Sequence, residues 1–295
     1  MLSYGKGFRR FAYVVMTVLA LMCIIPFILM ISSSLTEETA LIKYGYSFWP
    51  KVLNFSAYQY LFADGITIVR AYGITILCTV LGTALGLIMT TMLAYGLALR
   101  DLPGRNIIAF LLFFTMLFSG GTVPSYIMWS NTFHVTNTLA GLILPNFLVG
   151  AFYVIMMRTY FQSNIPEAIV ESARIDGASE LRILGKIVLP MSLPIMATVG
   201  MMVAIMYWND WMNGLYYIND QKLYSIQMIL NKMLQDANAL KTMDLGSQAS
   251  NIAATLPSTG IKMAVAVLGA VPIMIVFPFF QKFYVKGITI GAVKG

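Results

Sequence analysis

Long apolar runs separated by short polar segments dominate this chain, and they lie near 11–31, 72–98, 107–127, 139–159, 194–217 and 262–282. Each is long enough for a helix to cross a hydrocarbon core, which takes about 17 to 25 residues. Hydrocarbon offers backbone N–H and C=O groups no water, so runs of this kind satisfy their own hydrogen bonds as helices. The pattern predicts an all-α integral membrane protein with about six transmembrane helices, a single membrane domain over residues 1–295. The first run follows Lys6, Arg9 and Arg10, as a signal peptide would. A signal core runs only about 7 to 15 residues, and Ser32-Ser33-Ser34-Leu35 is not an A-x-A-like cleavage site, so a retained first helix is expected.

An even number of spans places both termini on one side. Of the 19 Lys and Arg, 12 then fall on the terminal side, on the shorter connections, and 7 on the other. Basic residues on short loops mark the cytoplasmic face, so both termini are expected in the cytoplasm. Trp49, Trp129, Trp208 and Trp211 fall in or beside the predicted outer loops, at the headgroup level that amphipathic rings favour. Gly82 and Gly86 form a G-x-x-x-G in the second run, where two helix backbones approach closely; packing inside this chain is the expected use.

Composition agrees with a lipid environment: 59% of residues are hydrophobic, 11% are charged and the mean hydropathy is +0.78. The net charge of +7 does not point to nucleic acid, because the basic residues are scattered between apolar runs and form no single basic face. Cys23 and Cys78 sit inside apolar runs and read as small hydrophobes. The lone His134 has no partner at metal-ligand spacing, so no metal site is expected.

One long polar connection, residues 161–190, is too charged to span yet strongly patterned. Asn164, Pro166 and Glu167 supply an N-cap, a first-turn proline and an acid for the positive helix end. Ile165, Ala168, Ile169, Ser172 and Ala173 then recur at helical spacing on one face. Asp176-Gly177 reads as a turn, after which Leu181, Leu184, Ile187 and Val188 form the apolar side of a second helix ended by Pro190. Two short helices about a tight turn make a compact knob, which periodicity alone reads equally as a piece that docks in a cleft of another protein or as a surface hairpin with no partner.

Within this knob, Glu171-Ser172-Ala173, Gly177 and Ile187-x-Leu189-Pro190 resemble the EAA signature of ABC importer permeases, E-A-A-x3-G-x9-I-x-L-P, with Ser172 in place of the middle alanine. The Ile165-Pro166-Glu167 lead-in, Ile175-Asp176-Gly177-Ala178 and the ending from Val285 to Gly295 are similar to the carbohydrate-uptake, maltose-type branch. Phe118 to Tyr126 resembles the subgroup for larger or modified oligosaccharides. The resemblance implies the type I importer permease fold in a bacterial plasma membrane. It also implies coupling helices that dock on separate P-loop ATPase subunits through Glu167, Glu171, Ser172, Ala173, Asp176, Gly177, Ala178, Ile187, Leu189 and Pro190. Lys286, Gly287, Lys294 and Gly295 would touch the ATPase dimer from the C-terminal tail. The remaining implied partners are a second homologous permease and an extracytoplasmic solute-binding protein, which the loop at 218–261 would reach.

Trp208, Asn209, Asp210 and Trp211 combine aromatic faces with an acid and an amide, the groups that hold sugars, and are candidates for the translocation path or for interfacial anchoring. No G-x-x-x-x-G-K-[ST] occurs, so ATP and Mg are expected on partner chains and no cofactor on this one. No Ser/His/Asp or Cys/His constellation occurs either, and covalent catalysis is not expected. The competing class is an ATP-independent secondary transporter or channel, for which Asp210 is the one acid near a span.

Overall fold

The computed structural model describes residues 6–63, 65–145, 148–242 and 258–292, with side chains described for 7–63, 65–145, 148–236 and 259–278. Among these residues the regular structure is helical, with one isolated antiparallel bridge between Thr36 and Leu53. Three helices are long and apolar enough to cross a membrane: α1 (Lys6–Ser34), α4 (Gly65–Ala98) and α15 (Ser258–Ala292). Between α1 and α4 lie two short helices, α2 (Glu38–Tyr44) and α3 (Ser56–Leu61).

The other predicted runs are broken. The run at 107–127 divides into α5 (Arg105–Leu117) and α6 (Thr122–Ile127), the latter extended by a π-helical turn to Thr132, and the two limbs bend by 115°. Phe118 is extended and Gly121 has φ +86°, a conformation that glycine adopts without a Cβ penalty. The run at 139–159 becomes α7 (Leu139–Ile143) and α8 (Ala151–Asn164) around Pro145. Next come α9 (Glu167–Ile175), α10 (Glu180–Ile183) and α11 (Leu189–Met191). Last in this stretch, the run at 194–217 divides at Asn209 into α12 (Leu193–Trp208) and α13 (Met212–Tyr217). The loop predicted at 218–261 carries a helix of its own, α14 (Ile226–Thr242), and residues 243–257 lie outside the described set.

The chain forms two compact units. One comprises Met1–Ile68 and Leu230–Pro272. Here Ser32 donates to the Ser47 carbonyl at 2.7 Å and Ser34 bonds the Tyr58 hydroxyl at 2.8 Å, which ties the end of α1 to α3 and the loop between. The buried Glu38 carboxylate accepts the Thr259 N–H at 2.9 Å and the Gly260 N–H at 2.9 Å, so α2 caps the start of α15. First-turn amides of a helix have no partner within it, and a carboxylate there also meets the positive end of the helix dipole.

The other unit comprises Val69–Ile229 and Ile273–Gly295. Its centre is the antiparallel packing of α4 on α12. A Cβ on Gly82 would run into the Tyr207 ring, one on Gly200 would sit 3.0 Å from Leu87, and Thr91 donates to the Met196 sulfur at 3.3 Å. As numbers rise along α4 they fall along α12. Gly82 therefore serves a close approach inside this chain, as its spacing suggested. Tyr207 also donates to the Ile143 carbonyl at 2.8 Å, and the buried Asn213 amide donates to the Pro145 carbonyl at 3.1 Å. These two bonds satisfy backbone carbonyls at the break between α7 and α8, where the helix leaves them without their own donors. Helix α8 packs against both α5 and α12.

Candidate functional site

The patterned loop is built from its prolines and one glycine. A residue before proline is pushed out of the helical region, and Ile165 is accordingly extended (φ −103°, ψ 116°), which ends α8 at Asn164. Pro166 then precedes the first turn of α9, with no side chain capping it. Asn164, expected as the cap, instead closes α8, donating its amide to the Tyr160 carbonyl at 3.2 Å. Helix α9 ends in a Schellman motif: Gly177 N–H to Arg174 O and Ala178 N–H to Ala173 O, both 3.0 Å, with Gly177 at φ +78°. The Asp176-Gly177 turn read from sequence is therefore an αL glycine turn. Beyond α10 a π-helical turn (Leu184–Val188) leads to Pro190, which has no N–H to close the preceding turn. The limb from Glu180 to Met191 then meets α12 at 87°.

The inner face of this hairpin is seated on α4. Ile183, Leu184 and Val188 are buried with Ala94, Tyr95 and Leu97, and Val170, Ala173, Ala178, Ile187 and Leu189 pack against the same core. One carboxylate holds the parts together. Glu180 accepts from the Tyr95 hydroxyl of α4 at 2.5 Å and from Arg174 Nε of α9 at 2.8 Å, and Arg174 also lies 3.9 Å from Asp101 in the connection after α4. Burial works against the Glu180 charge, but the bonds from Tyr95 and Arg174 outweigh it, and its pKa lies below the ordinary carboxylate value. The same hydrogen bond raises the pKa of Arg174. Charge-assisted bonds of this kind fix geometry as well as energy.

The outer face is open. Ile169 and Ile175 of α9 and Leu181 of α10 are exposed, Ile175 to 86% and Leu181 to 71%. Leu181 therefore departs from its expected place beside Leu184, Ile187 and Val188: in the one-residue-longer repeat of the π turn, Ile183 takes the buried position with Val188. Glu171, Ser172, Asp176, Gly177 and Pro190 are exposed, Ala173 and Ala178 half-buried, and the exposed Glu167 pairs with Arg100 at 3.4 Å. A cavity of about 450 Å³ opens beside the hairpin, with Tyr95, Arg100, Arg105, Glu167, Glu171 and Arg174 among its lining residues.

The aromatic quartet lies at the far end of α12. Trp208 faces Tyr72 of α4 with ring centroids 6.3 Å apart, Asn209 is exposed and returns its amide to the Ile205 carbonyl at 2.9 Å, and Trp211 is partly exposed. Asp210 accepts the Asn213 N–H at 3.1 Å and so starts α13. In the C-terminal tail, Lys286 and Gly287 fall on the backbone of α15, and Lys294 and Gly295 lie outside the described residues. Sequence reasoning missed Tyr95, Arg174 and Glu180. The spacing of Arg174 and Glu180 crosses a turn and matches no helical pairing rule, and nothing local links either to Tyr95.

Residues 104–290 match the family described as binding-protein-dependent transport system inner membrane component. The chain is 36% identical over 291 residues, 99% of each chain, to the polygalacturonan/rhamnogalacturonan transport system permease protein YtcP of Bacillus subtilis. It is 39% identical over 274 residues to protein LplC of the same organism, covering 92% of this chain and 90% of LplC. Among solved structures, it matches a chain of a bacterial ABC transporter involved in the import of the acidic polysaccharide alginate, with TM-score 0.78, 28% identity, and coverage of 96% of this chain and 100% of that one. A model match over more than half the chain, together with relatives at this identity and coverage, makes this membrane-embedded helical protein a member of the binding-protein-dependent transport system inner membrane component family.

Proposed function

We propose that this chain is one of two permease subunits of an ABC importer that takes up an oligosaccharide. The observation that carries the reading is the hairpin of α9 and α10: clamped to α4 on one side, it presents Ile169, Ile175 and Leu181 bare on the other. An exposed apolar surface carried on a rigid knob is suited to docking in a cleft. P-loop ATPase subunits with bound ATP and Mg are the proposed occupants, contacted by Glu167, Glu171, Ser172, Ala173, Asp176, Gly177 and Ala178 on the knob and by the C-terminal tail. A second permease completes the path and an extracytoplasmic binding protein delivers the solute. The chain crosses the membrane several times, both termini are cytoplasmic, and Trp208, Asn209, Asp210 and Trp211 line the path near its outer end.

Coupling in this scheme is mechanical. ATP binding and solute delivery each favour one arrangement of the bundle, and only a difference in affinity between two states shifts such an equilibrium. The solute proposed is an oligosaccharide bearing uronates, supported by the relatives named for polygalacturonan/rhamnogalacturonan and for alginate. The test is gentle purification of the tagged chain from native membranes, followed by uptake into proteoliposomes. Copurification of a P-loop ATPase and a homologous permease, with ATP-dependent uptake of uronate oligosaccharides, is expected. Uptake by this chain alone, without ATP, would replace the proposal with a secondary transporter.

A further inference from the structure

Several features meet at the start of α5. Arg105 Nε and Arg158 Nε are both buried without a hydrogen-bond partner. Arg105 opens α5 and Arg158 lies near the end of α8, the helix packed against it, so both guanidiniums belong to this packing. Of the carboxylates near this corner, Glu167 pairs with Arg100, and Asp101 and Glu180 with Arg174, while Glu171 shares the lining of the neighbouring cavity with Arg105. The hydrogen bond recorded from Arg105 is a long one, 3.5 Å from Nη1 to the Leu99 carbonyl. Buried guanidinium donors left unsatisfied cost free energy that a bound anion would offset.

A cavity of about 460 Å³ opens over the same corner, lined by Arg100, Leu102, Gly104, Arg105, Asn106 and Ile107, with no carboxylate among them. Helix α5 is 13 residues long and no side chain caps its N-terminus. Its first amide, the Arg105 N–H, bonds the Leu102 carbonyl at 3.3 Å, and the next two, of Asn106 and Ile107, would face an acceptor with the positive end of the helix dipole behind them. Directly along the helix, Ile107, Phe110, Leu111 and Phe114 are exposed and apolar. The corner thus offers arginine forks and backbone donors at one end and a greasy flank at the other.

We propose that this corner binds the phosphate of an anionic phospholipid headgroup, with the acyl chains along the exposed flank of α5. Planar guanidinium forks match phosphate oxygens in pairs, and basic pockets at membrane-helix ends suit anionic headgroups. A zwitterionic headgroup brings its own cation toward two arginines, and free phosphate gains nothing from the apolar flank. The site rests on the membrane placement of the chain and not on the identity of its solute.

The test uses the purified complex containing the full chain, in detergent, with lipid binding read by native mass spectrometry and thermal unfolding. Phosphatidylglycerol, phosphatidylcholine and inorganic phosphate are the three probes. Phosphatidylglycerol is expected to bind the wild type more tightly than phosphatidylcholine, by about fivefold for each arginine engaged. Arg105→Gln with Arg158→Gln is expected to abolish that preference, and Arg105→Lys to weaken it, because a point charge replaces the fork. Equal binding of both lipids by the wild type overturns the proposal without reference to any variant. An undiminished preference in the double variant overturns the residue assignment, and stabilisation by inorganic phosphate with no lipid preference overturns the lipid assignment. Solute uptake enters none of these readouts, so the outcome is separate from that of the importer reading.

Discussion

Replacing Glu180 with alanine removes a carboxylate that bonds both α4 and α9 from α10, and its effect can be sized from the geometry. The Tyr95 hydroxyl and Arg174 Nε each lose an ionised acceptor, at 2.5 and 2.8 Å. A hydrogen bond to a charged group contributes about 1.5–3 kcal/mol where water is excluded. Tyr95 is only 7% exposed, so the low end of that range, about 1.5 kcal/mol, applies to its bond. The ion pair is wetter, with side chains 33% and 47% exposed, and such pairs retain about 0.5 kcal/mol after solvent screening. The sum, about 2 kcal/mol, corresponds to roughly a thirtyfold shift in the fraction of hairpin seated on α4. In proteoliposomes containing the whole complex, Glu180→Ala should raise the ATP hydrolysed per solute imported several-fold while the subunits still copurify. Glu180→Gln, which keeps a neutral acceptor, should have about half the energetic effect. A double-mutant cycle with Tyr95→Phe should return a coupling of at least about 0.5 kcal/mol in thermal stability. Unchanged stoichiometry of hydrolysis to uptake, together with additive behaviour in the cycle, would refute the clamp.

Further outcomes follow from the same structure. Because the Glu180 pKa lies below its ordinary value of 4.5, the contribution of that carboxylate is complete above about 4.5 and is lost as pH falls through the depressed folded-state value; the stability gap between wild type and Glu180→Gln should be constant from pH 6 to 8 and shrink in strong acid. Gly177→Val places a β-branched residue at φ +78°, where the cost is backbone strain of about 1–2 kcal/mol and not a clash, since nothing lies within 4 Å of the new Cβ; uptake should fall while membrane insertion, read by fractionation, is unchanged. Glu38→Gln weakens the cap on α15, and a loss of about 1 kcal/mol in thermal stability is expected. Gly82→Leu forces a side chain into the Tyr207 ring and should lower expression of folded protein sharply, as overpacking costs about 1–3 kcal/mol or more.

Much of this was legible in the sequence because the bilayer imposes strict patterns. The three long apolar helices contain the runs at 11–31, 72–98 and 262–282, and the αL turn at Gly177 follows from a residue type with few other uses. The breaks were harder to read. Residues 107–127, 139–159 and 194–217 are predominantly apolar, and mean hydropathy does not distinguish one straight span from two limbs. What decides is the glycine at 121 with positive φ, and the carbonyls at Ile143 and Pro145 whose donors, Tyr207 and Asn213, come from more than 60 residues away. The same holds for the clamp: Tyr95 and Glu180 are 85 residues apart, and only the antiparallel register of α4 and α12 brings them together. Leu181 was misplaced for a local reason, since a π turn shifts the periodicity that a regular helix would keep.

Site-directed crosslinking from the tip of the hairpin tests the docking role most directly. Ile175→Cys puts a thiol at the most outward point of α9, and Tyr13→Cys, on exposed α1, serves as the comparison. In native membranes, a short bifunctional reagent is predicted to join Ile175→Cys to a P-loop ATPase subunit, with a yield that changes when nucleotide is added, and to give no such product from Tyr13→Cys. An Ile175→Cys protein that remains active for uptake yet yields no crosslink to any ATPase, with or without nucleotide, would contradict the assignment of α9 and α10 as the coupling element.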